Sequence, residues 1–153
     1  MGTVTHLPNV GAILAQEYAS RGWTVESTAI GLELVASATV CGVELPAGTA
    51  SRIQQFLRVH MLAGPVLEVP GTGRHVFLAS TAKSGSNAVV ALRSLGAIVH
   101  TAGARIPLPP TYLLTGPVRW APGSVATHLP PLVAVSAALR THTPVRRPLV
   151  AAS

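Results

Sequence analysis

An arginine and a histidine that follow a glycine-rich turn are the best candidates for binding a ligand. Arg74 and His75 come directly after Gly71-Thr72-Gly73. A guanidinium beside an imidazole at the mouth of a hairpin can contact phosphate oxygens, because both groups donate hydrogen bonds to an anion. The turn is not a phosphate-binding fingerprint, since it lacks a third glycine and precedes a strand. The pair predicts phosphate contact, and an ordinary turn with a solvated Arg74 is the alternative.

The carboxylates are few, and this limits the chemistry. The chain has no aspartate, and its five acidic residues are Glu17, Glu26, Glu33, Glu44 and Glu68. Two-metal phosphoryl transfer holds its cations about 3.5–4 Å apart, so several acidic ligands must converge on one point. Glu33, Glu44 and Glu68 fall on three different predicted strands, and of these only Glu44 stands at a strand end, where catalytic acids commonly lie. We therefore expect no carboxylate-dependent two-metal chemistry from this chain by itself.

The remaining metal-binding and nucleophilic residue types give weaker signals. The six histidines are His6, His60, His75, His100, His128 and His142. No two of them have a metal-site spacing such as i, i+4 on one helix, so we predict no zinc site. Cys41 is the only cysteine, which excludes an internal disulfide. It lies in an apolar run, and this favours core packing over a nucleophilic role.

Composition indicates one basic domain. The 153 residues carry a formal charge of +6, with ten arginines against one lysine. Arginine suits phosphate recognition because its guanidinium is planar and bidentate, although a GC-rich coding sequence produces the same bias. No apolar run reaches the roughly 18 residues of a membrane span, so no membrane partner is expected. The first ten residues lack a basic and then apolar leader, which predicts a cytoplasmic location.

Periodicity and turn residues predict helices and strands in alternation, consistent with an α+β fold. One domain is expected over 1–140, followed by a disordered basic tail over 141–153. A hairpin is predicted where a glycine-rich link joins 66–69 to 75–79. Helices are expected over 9–21, from the Gly48-Thr49 cap to Gly64-Pro65, over 88–95 and over 131–140, and the other strands at 23–26, 30–35, 39–45, 97–101, 105–108 and 118–120.

Four segments, taken in order, carry a family resemblance that spans about residues 11–140. They are Glu17 to Trp23, Ile30-Gly31-Leu32 with Ala38 to Pro46, Gly64 to Phe77, and Gly103 to Pro110 with Thr111 and Thr115 to Trp120. The chain resembles the bifunctional DNA primase/polymerase (prim-pol) domain of the archaeo-eukaryotic primase superfamily. The resemblance implies a small, mostly antiparallel sheet backed by helices. It also implies that His75 contacts the phosphates of a nucleotide, and that Mg²⁺ or Mn²⁺ serves an active member.

The chain departs from the family pattern at its acidic positions. The resemblance implies an acid-x-acid motif where this chain has Gly42-Val43-Glu44, and a third acid where it has Ile98. Only Glu44 survives of the three expected metal ligands. One carboxylate cannot hold two divalent cations, so the resemblance implies common ancestry without polymerase activity.

Three functions follow as alternatives. The first is a degenerate prim-pol domain that binds a nucleotide or single-stranded DNA through Arg74, His75, Arg105 and Arg119, with Trp120 available for stacking. The second is an active primase/polymerase in DNA replication, with Glu44 and His75 as catalytic residues and a metal site completed by another glutamate or a partner chain. The third is an accessory domain whose proline-rich surface over 107–131 docks a replication protein.

Overall fold

The computed structural model describes residues 10–81 and 86–143, which form an α+β fold, as predicted. Its helices are α1 (Val10–Ser20), α2 (Ala47–Val59), α3 (Ser86–Ser94) and α4 (Leu132–His142). Its strands are β1 (Val25–Thr28), β2 (Gly31–Val35), β3 (Val40–Pro46), β4 (Val66–Val69), β5 (Arg74–Ser80), β6 (Ile98–His100), β7 (Arg105–Leu108), β8 (Tyr112–Leu113), β9 (Gly116–Pro117) and β10 (Arg119–Trp120).

The central sheet has five strands in the order β10-β4-β5-β3-β6, and all its neighbouring strands are antiparallel. The predicted hairpin between β4 and β5 is confirmed. Its turn places Gly71 and Gly73 at φ angles of 79° and 64°, a region that glycine enters without steric cost. Strand β3 lies between β5 and β6, so Glu44 sits inside the sheet rather than at its edge.

The alternation of side chains along β3 divides the core into two clusters. Cys41, Val43 and Leu45 point to one face, where they pack with buried residues of α2, α3 and α4. Val40 points to the opposite face and packs with residues of β5, β2 and β7. The central sheet therefore has a helix-covered face and a sheet-covered face, and these two names are kept below.

A second, three-stranded sheet in the order β1-β2-β7 covers the sheet-covered face, together with α1. The buried Thr111 fixes this sheet, because its hydroxyl accepts from the Leu32 amide at 2.8 Å and donates to the Leu32 carbonyl at 2.6 Å. The aromatic rings of Tyr18 and Trp23 stack at 5.6 Å and close the cluster beside α1.

Several predicted boundaries were wrong. Helix α2 starts directly after Pro46, whose side chain cannot cap it, rather than at a Gly48-Thr49 cap. It ends at Val59, well before Gly64. Strand β1 begins at Val25, because the Trp23 amide donates to the Tyr18 carbonyl in the turn that ends α1.

The predicted end of the domain lies within a helix. Helix α4 continues to His142, so it passes the boundary expected at residue 140. Most of the predicted basic tail, over 144–153, lies outside the described residues.

No helix within 10–81 and 86–143 is long and apolar enough to cross a membrane.

Candidate functional site

Glu44 is held between two basic side chains. Its Oε2 accepts a hydrogen bond from Nε of Arg74 at 2.6 Å, and its Oε1 lies 3.1 Å from Nε2 of His100. Arg74 also donates from Nη2 to the Glu44 backbone carbonyl at 3.4 Å. The three side chains are only 21–27% exposed, so water screens the pair less than on an open surface. We call Glu44, Arg74 and His100 the Glu44 cluster.

Three neighbouring strands bring the Glu44 cluster together. Glu44 is on β3, Arg74 opens β5 and His100 ends β6, so the cluster crosses the sheet. By alternation from Val40, Glu44 points to the sheet-covered face. His100 pairs in register with Gly42, two residues before Glu44, which places it on that same face.

The donor set of the Glu44 cluster does not fit a pair of divalent cations. A carboxylate that accepts from a guanidinium and lies against an imidazole has both oxygens engaged. A metal ion would have to displace Arg74 and then bear its repulsion, which is costly at such short range. Across residues 10–81 and 86–143, no three His, Cys, Asp or Glu side chains form a group that could hold a metal.

The structure also locates the two positions at which the resemblance implies missing acids. Ile98 pairs in register with Glu44, so an acid there would lie beside it. Gly42 lies two residues away on the same face, and a Cβ built on it would lie 2.5 Å from Cδ1 of Ile106. The tip of the Ile106 side chain, from the second sheet, therefore occupies the position of a Cβ at residue 42 and would have to shift for a larger residue.

His75 does not join Arg74, although the two are adjacent in sequence. Consecutive strand residues point to opposite faces, so His75 faces the helices. Its Nε2 lies 3.9 Å from Oε1 of Glu68, and its Nδ1 is buried without a hydrogen-bond partner within the described part of the chain. The sequence-predicted Arg74-His75 pair is thus split across the sheet.

The other two predicted phosphate contacts lie elsewhere. Arg105, on β7 in the second sheet, forms ion pairs with Glu26 and with Glu33. These two carboxylates raise the pKa of its guanidinium above its usual value. Arg119 is exposed on β10, in register with Glu68, and forms no ion pair among the residues that the structure describes. The four predicted residues therefore do not form one site.

Trp120 is less available for stacking than the sequence indicated. Its ring packs at 6.1 Å from Tyr18 and 6.2 Å from Trp23, and it is half-buried against the core. The indole serves the packing of α1 on the sheet.

Sequence reasoning missed the role of His100. The spacing of the six histidines indicates no metal site, and spacing alone does not show that one of them lies beside Glu44. The strand period offered the signal, since His100 lies two residues after Ile98 on a predicted strand. For Cys41 the expectation of core packing is confirmed, because the residue is fully buried and burial raises the pKa of its thiol to about 11.

Comparison of the chain with family models, with curated proteins and with solved structures finds no match.

Proposed function

We propose that this chain is a prim-pol-like domain without polymerase activity that binds nucleic acid in the cytoplasm. The observation that carries the proposal is the binding of Glu44 by Arg74 and His100. In the family that the chain resembles, this carboxylate would be a metal ligand. Here its charge is balanced by the Arg74 guanidinium instead, and the His100 imidazole makes a second contact.

Electrostatics favours loss of catalysis over its retention. Nucleotidyl transfer depends on preorganised metal ions that stabilise the charge of the transferring phosphoryl group. The four other glutamates each lie within ion-pair distance of an arginine or a histidine, as in the contact of Glu17 with Arg21. None of them lies with Glu44 in a group of metal ligands among the described residues.

A net charge of +6 supports nucleic-acid binding. Binding to phosphates releases counterions from the nucleic acid, and this favours basic proteins at low salt. Within residues 10–81 and 86–143, Arg52, Arg58, Arg93, Arg119 and Arg140 have no ion pair with a glutamate. These five arginines are therefore available to an external anion.

A primer-extension assay with the full chain, using Mg²⁺ and then Mn²⁺, tests the absence of polymerase activity. We expect no incorporation with either metal. Template-dependent incorporation that Glu44→Gln abolishes would overturn the proposal and establish the active enzyme instead. The matched variant Glu17→Gln removes a surface carboxylate and controls for the loss of one charge.

The test of binding is fluorescence anisotropy with labelled single-stranded DNA at several salt concentrations. We expect an affinity that falls steeply as salt increases, with each phosphate contact adding roughly 0.7 to the slope of log K against log salt. Absence of any salt-dependent binding would refute the nucleic-acid part of the proposal.

A second candidate function, docking of a partner protein, is favoured by an exposed apolar surface. Leu114 is fully exposed and Tyr112 is 65% exposed, both within the proline-rich stretch singled out in the sequence. With Ile30 they line a cavity of about 680 Å³. Pull-down of a replication protein that Tyr112→Ser with Leu114→Ser abolishes, together with no affinity for DNA, would favour this function.

A further inference from the structure

Charge is divided unequally between the two sides of the molecule. Helices α2, α3 and α4 carry four arginines and no carboxylate: Arg52, Arg58, Arg93 and Arg140. The rest of the described chain has four arginines against all five glutamates. The helices therefore concentrate the positive charge, whereas the remainder of the described chain is nearly neutral.

The arginines of these helices are exposed and have no acidic partner among the described residues. Arg93 donates to the Val99 carbonyl at 3.1 Å, and Arg140 lies 3.4 Å from the hydroxyl of Ser136. These contacts position the two guanidinium groups without neutralising them. Each retains N–H groups that can donate to an anion.

Three helix ends meet at one cleft of about 310 Å³. Thr49 and Arg52 line it from the first turns of α2, Leu95 from the end of α3, and His142 from the end of α4. Arg93 and Arg140 lie in the last turns of α3 and α4, next to this cleft in sequence. Arg52 thus lines the cleft itself, whereas Arg93 and Arg140 lie in the last turns of the two helices whose ends border it.

Aromatic rings continue from the cleft. The imidazole of His142 lies edge-on to Phe56, with ring centroids 5.8 Å apart, and the exposed His60 stacks on Phe56 at 4.2 Å. Positive charge beside an exposed ring such as His60 is a combination that binds single-stranded nucleic acid, because backbone and bases are both contacted. A membrane surface or an acidic peptide would also bind the charge, and both are tested below.

We propose that the phosphate backbone of a single-stranded nucleic acid binds across the ends of α2, α3 and α4, with Arg52, Arg93 and Arg140 as its phosphate contacts. This proposal rests on the proposed function and assigns nucleic-acid binding to a different surface from the one that the sequence predicted. Arg52, Arg93 and Arg140 lie on helices, whereas the residues that the sequence singled out lie on strands. The cleft borders the end of β3, where Leu45 and Pro46 line it next to Glu44 in sequence.

The experiment measures anisotropy of labelled (dT)₂₀ with the full chain and with two triple variants of equal net charge. Arg52→Gln with Arg93→Gln and Arg140→Gln is expected to weaken binding about 100-fold near 0.1 M salt, and to reduce the salt slope by about 2. Arg21→Gln with Arg74→Gln and Arg105→Gln is expected to change affinity less than about 3-fold, because all three arginines are already paired with glutamates.

A third variant separates charge from folding. Replacing Arg52, Arg93 and Arg140 by lysine keeps the charge and should restore most of the affinity, although not the bidentate contacts. Loss of binding in the lysine variant as complete as in the glutamine variant would overturn a phosphate-contact role.

The remaining outcomes distinguish the two proposals. Equal weakening by both glutamine variants, or weakening by the second variant alone, would refute the helical surface and leave the proposed function standing. Failure of the unaltered chain to bind (dT)₂₀ would refute the proposed function itself. Binding to anionic phosphatidylserine vesicles or to polyglutamate without binding to (dT)₂₀ would overturn both in favour of another partner.

Discussion

The two faces of the central sheet are held by different kinds of contact. The helix-covered face is apolar at its centre, from Cys41 and Phe77 to Leu132. Its charged groups are Glu68 and Arg119 on β4 and β10, and the arginines on the outer surface of the helices. The sheet-covered face combines an apolar cluster with polar links, namely the Thr111 hydroxyl and the Glu44 cluster. One side thus leaves its arginines free, whereas the other side uses its ionic groups internally.

This difference indicates where a ligand can bind without disturbing the fold. Arginines that already neutralise a glutamate lose that partner when they bind an anion, and the energies of the two interactions partly cancel. Arginines on the helices have no such partner among the described residues. Binding and folding are therefore separable on the helix-covered side and coupled on the other.

The largest expected effect is a truncation in the apolar core of the helix-covered face. Phe77→Ala removes a ring that is 1% exposed, so unfolding in urea should show a loss of about 3–5 kcal/mol in stability. A loss below about 1.5 kcal/mol would mean that the helices are not held by this core, and would break the comparison.

Next in size is the response of the buried thiol to pH. In the folded chain the pKa of Cys41 is raised to about 11 from its ordinary 9.0. The unfolded chain then loses this proton first, so stability is unaffected below about pH 9 and falls as pH rises towards 11. The loss should reach about 2–3 kcal/mol.

Chemical denaturation at pH 8 and at pH 10.5 measures this loss. Burial also raises the pKa of Tyr18, which adds a decline in the same direction. The control is therefore Cys41→Ala, which should show a smaller decline than the unaltered chain. An identical decline in both would contradict the assignment to the thiol.

The polar links of the sheet-covered face give a smaller effect. Thr111→Val keeps the shape of the side chain but removes two hydrogen bonds to Leu32 and leaves its backbone groups unsatisfied. We expect a loss of about 2 kcal/mol, and faster amide exchange at Leu32. Thr24→Val, at an exposed position, should cost much less.

The smallest effect is expected for Glu44→Gln in the absence of ligand. The cluster is partly exposed, so solvent screens it, and a loss of about 1 kcal/mol is expected. Glu17→Gln, in an exposed helical pair, should cost about 0.3 kcal/mol. An increase in stability for Glu44→Gln would show that the charge of Glu44 destabilises the fold in spite of its contacts with Arg74 and His100.

The sequence predicted the order of elements well and the site poorly. Hydrophobic periodicity and glycine-rich turns located the helices and the β4–β5 hairpin, because these signals are local. The site depends on which strands are neighbours, and periodicity does not contain that information. The sequence therefore predicts that Arg74 and His75 act together, although the alternation of the strand places them on opposite faces. It also does not predict that His100 lies beside Glu44.

The contact between Gly42 and Ile106 has a consequence for substitutions in β3. A side chain at position 42 would meet Cδ1 of the isoleucine on the overlying strand, so the tip of that isoleucine would have to turn aside. Gly42→Asp alone would therefore be accommodated by repacking Ile106, and a smaller residue at position 106 would make room for it. The two sheets lie this close together here because β3 carries no side chain at that position.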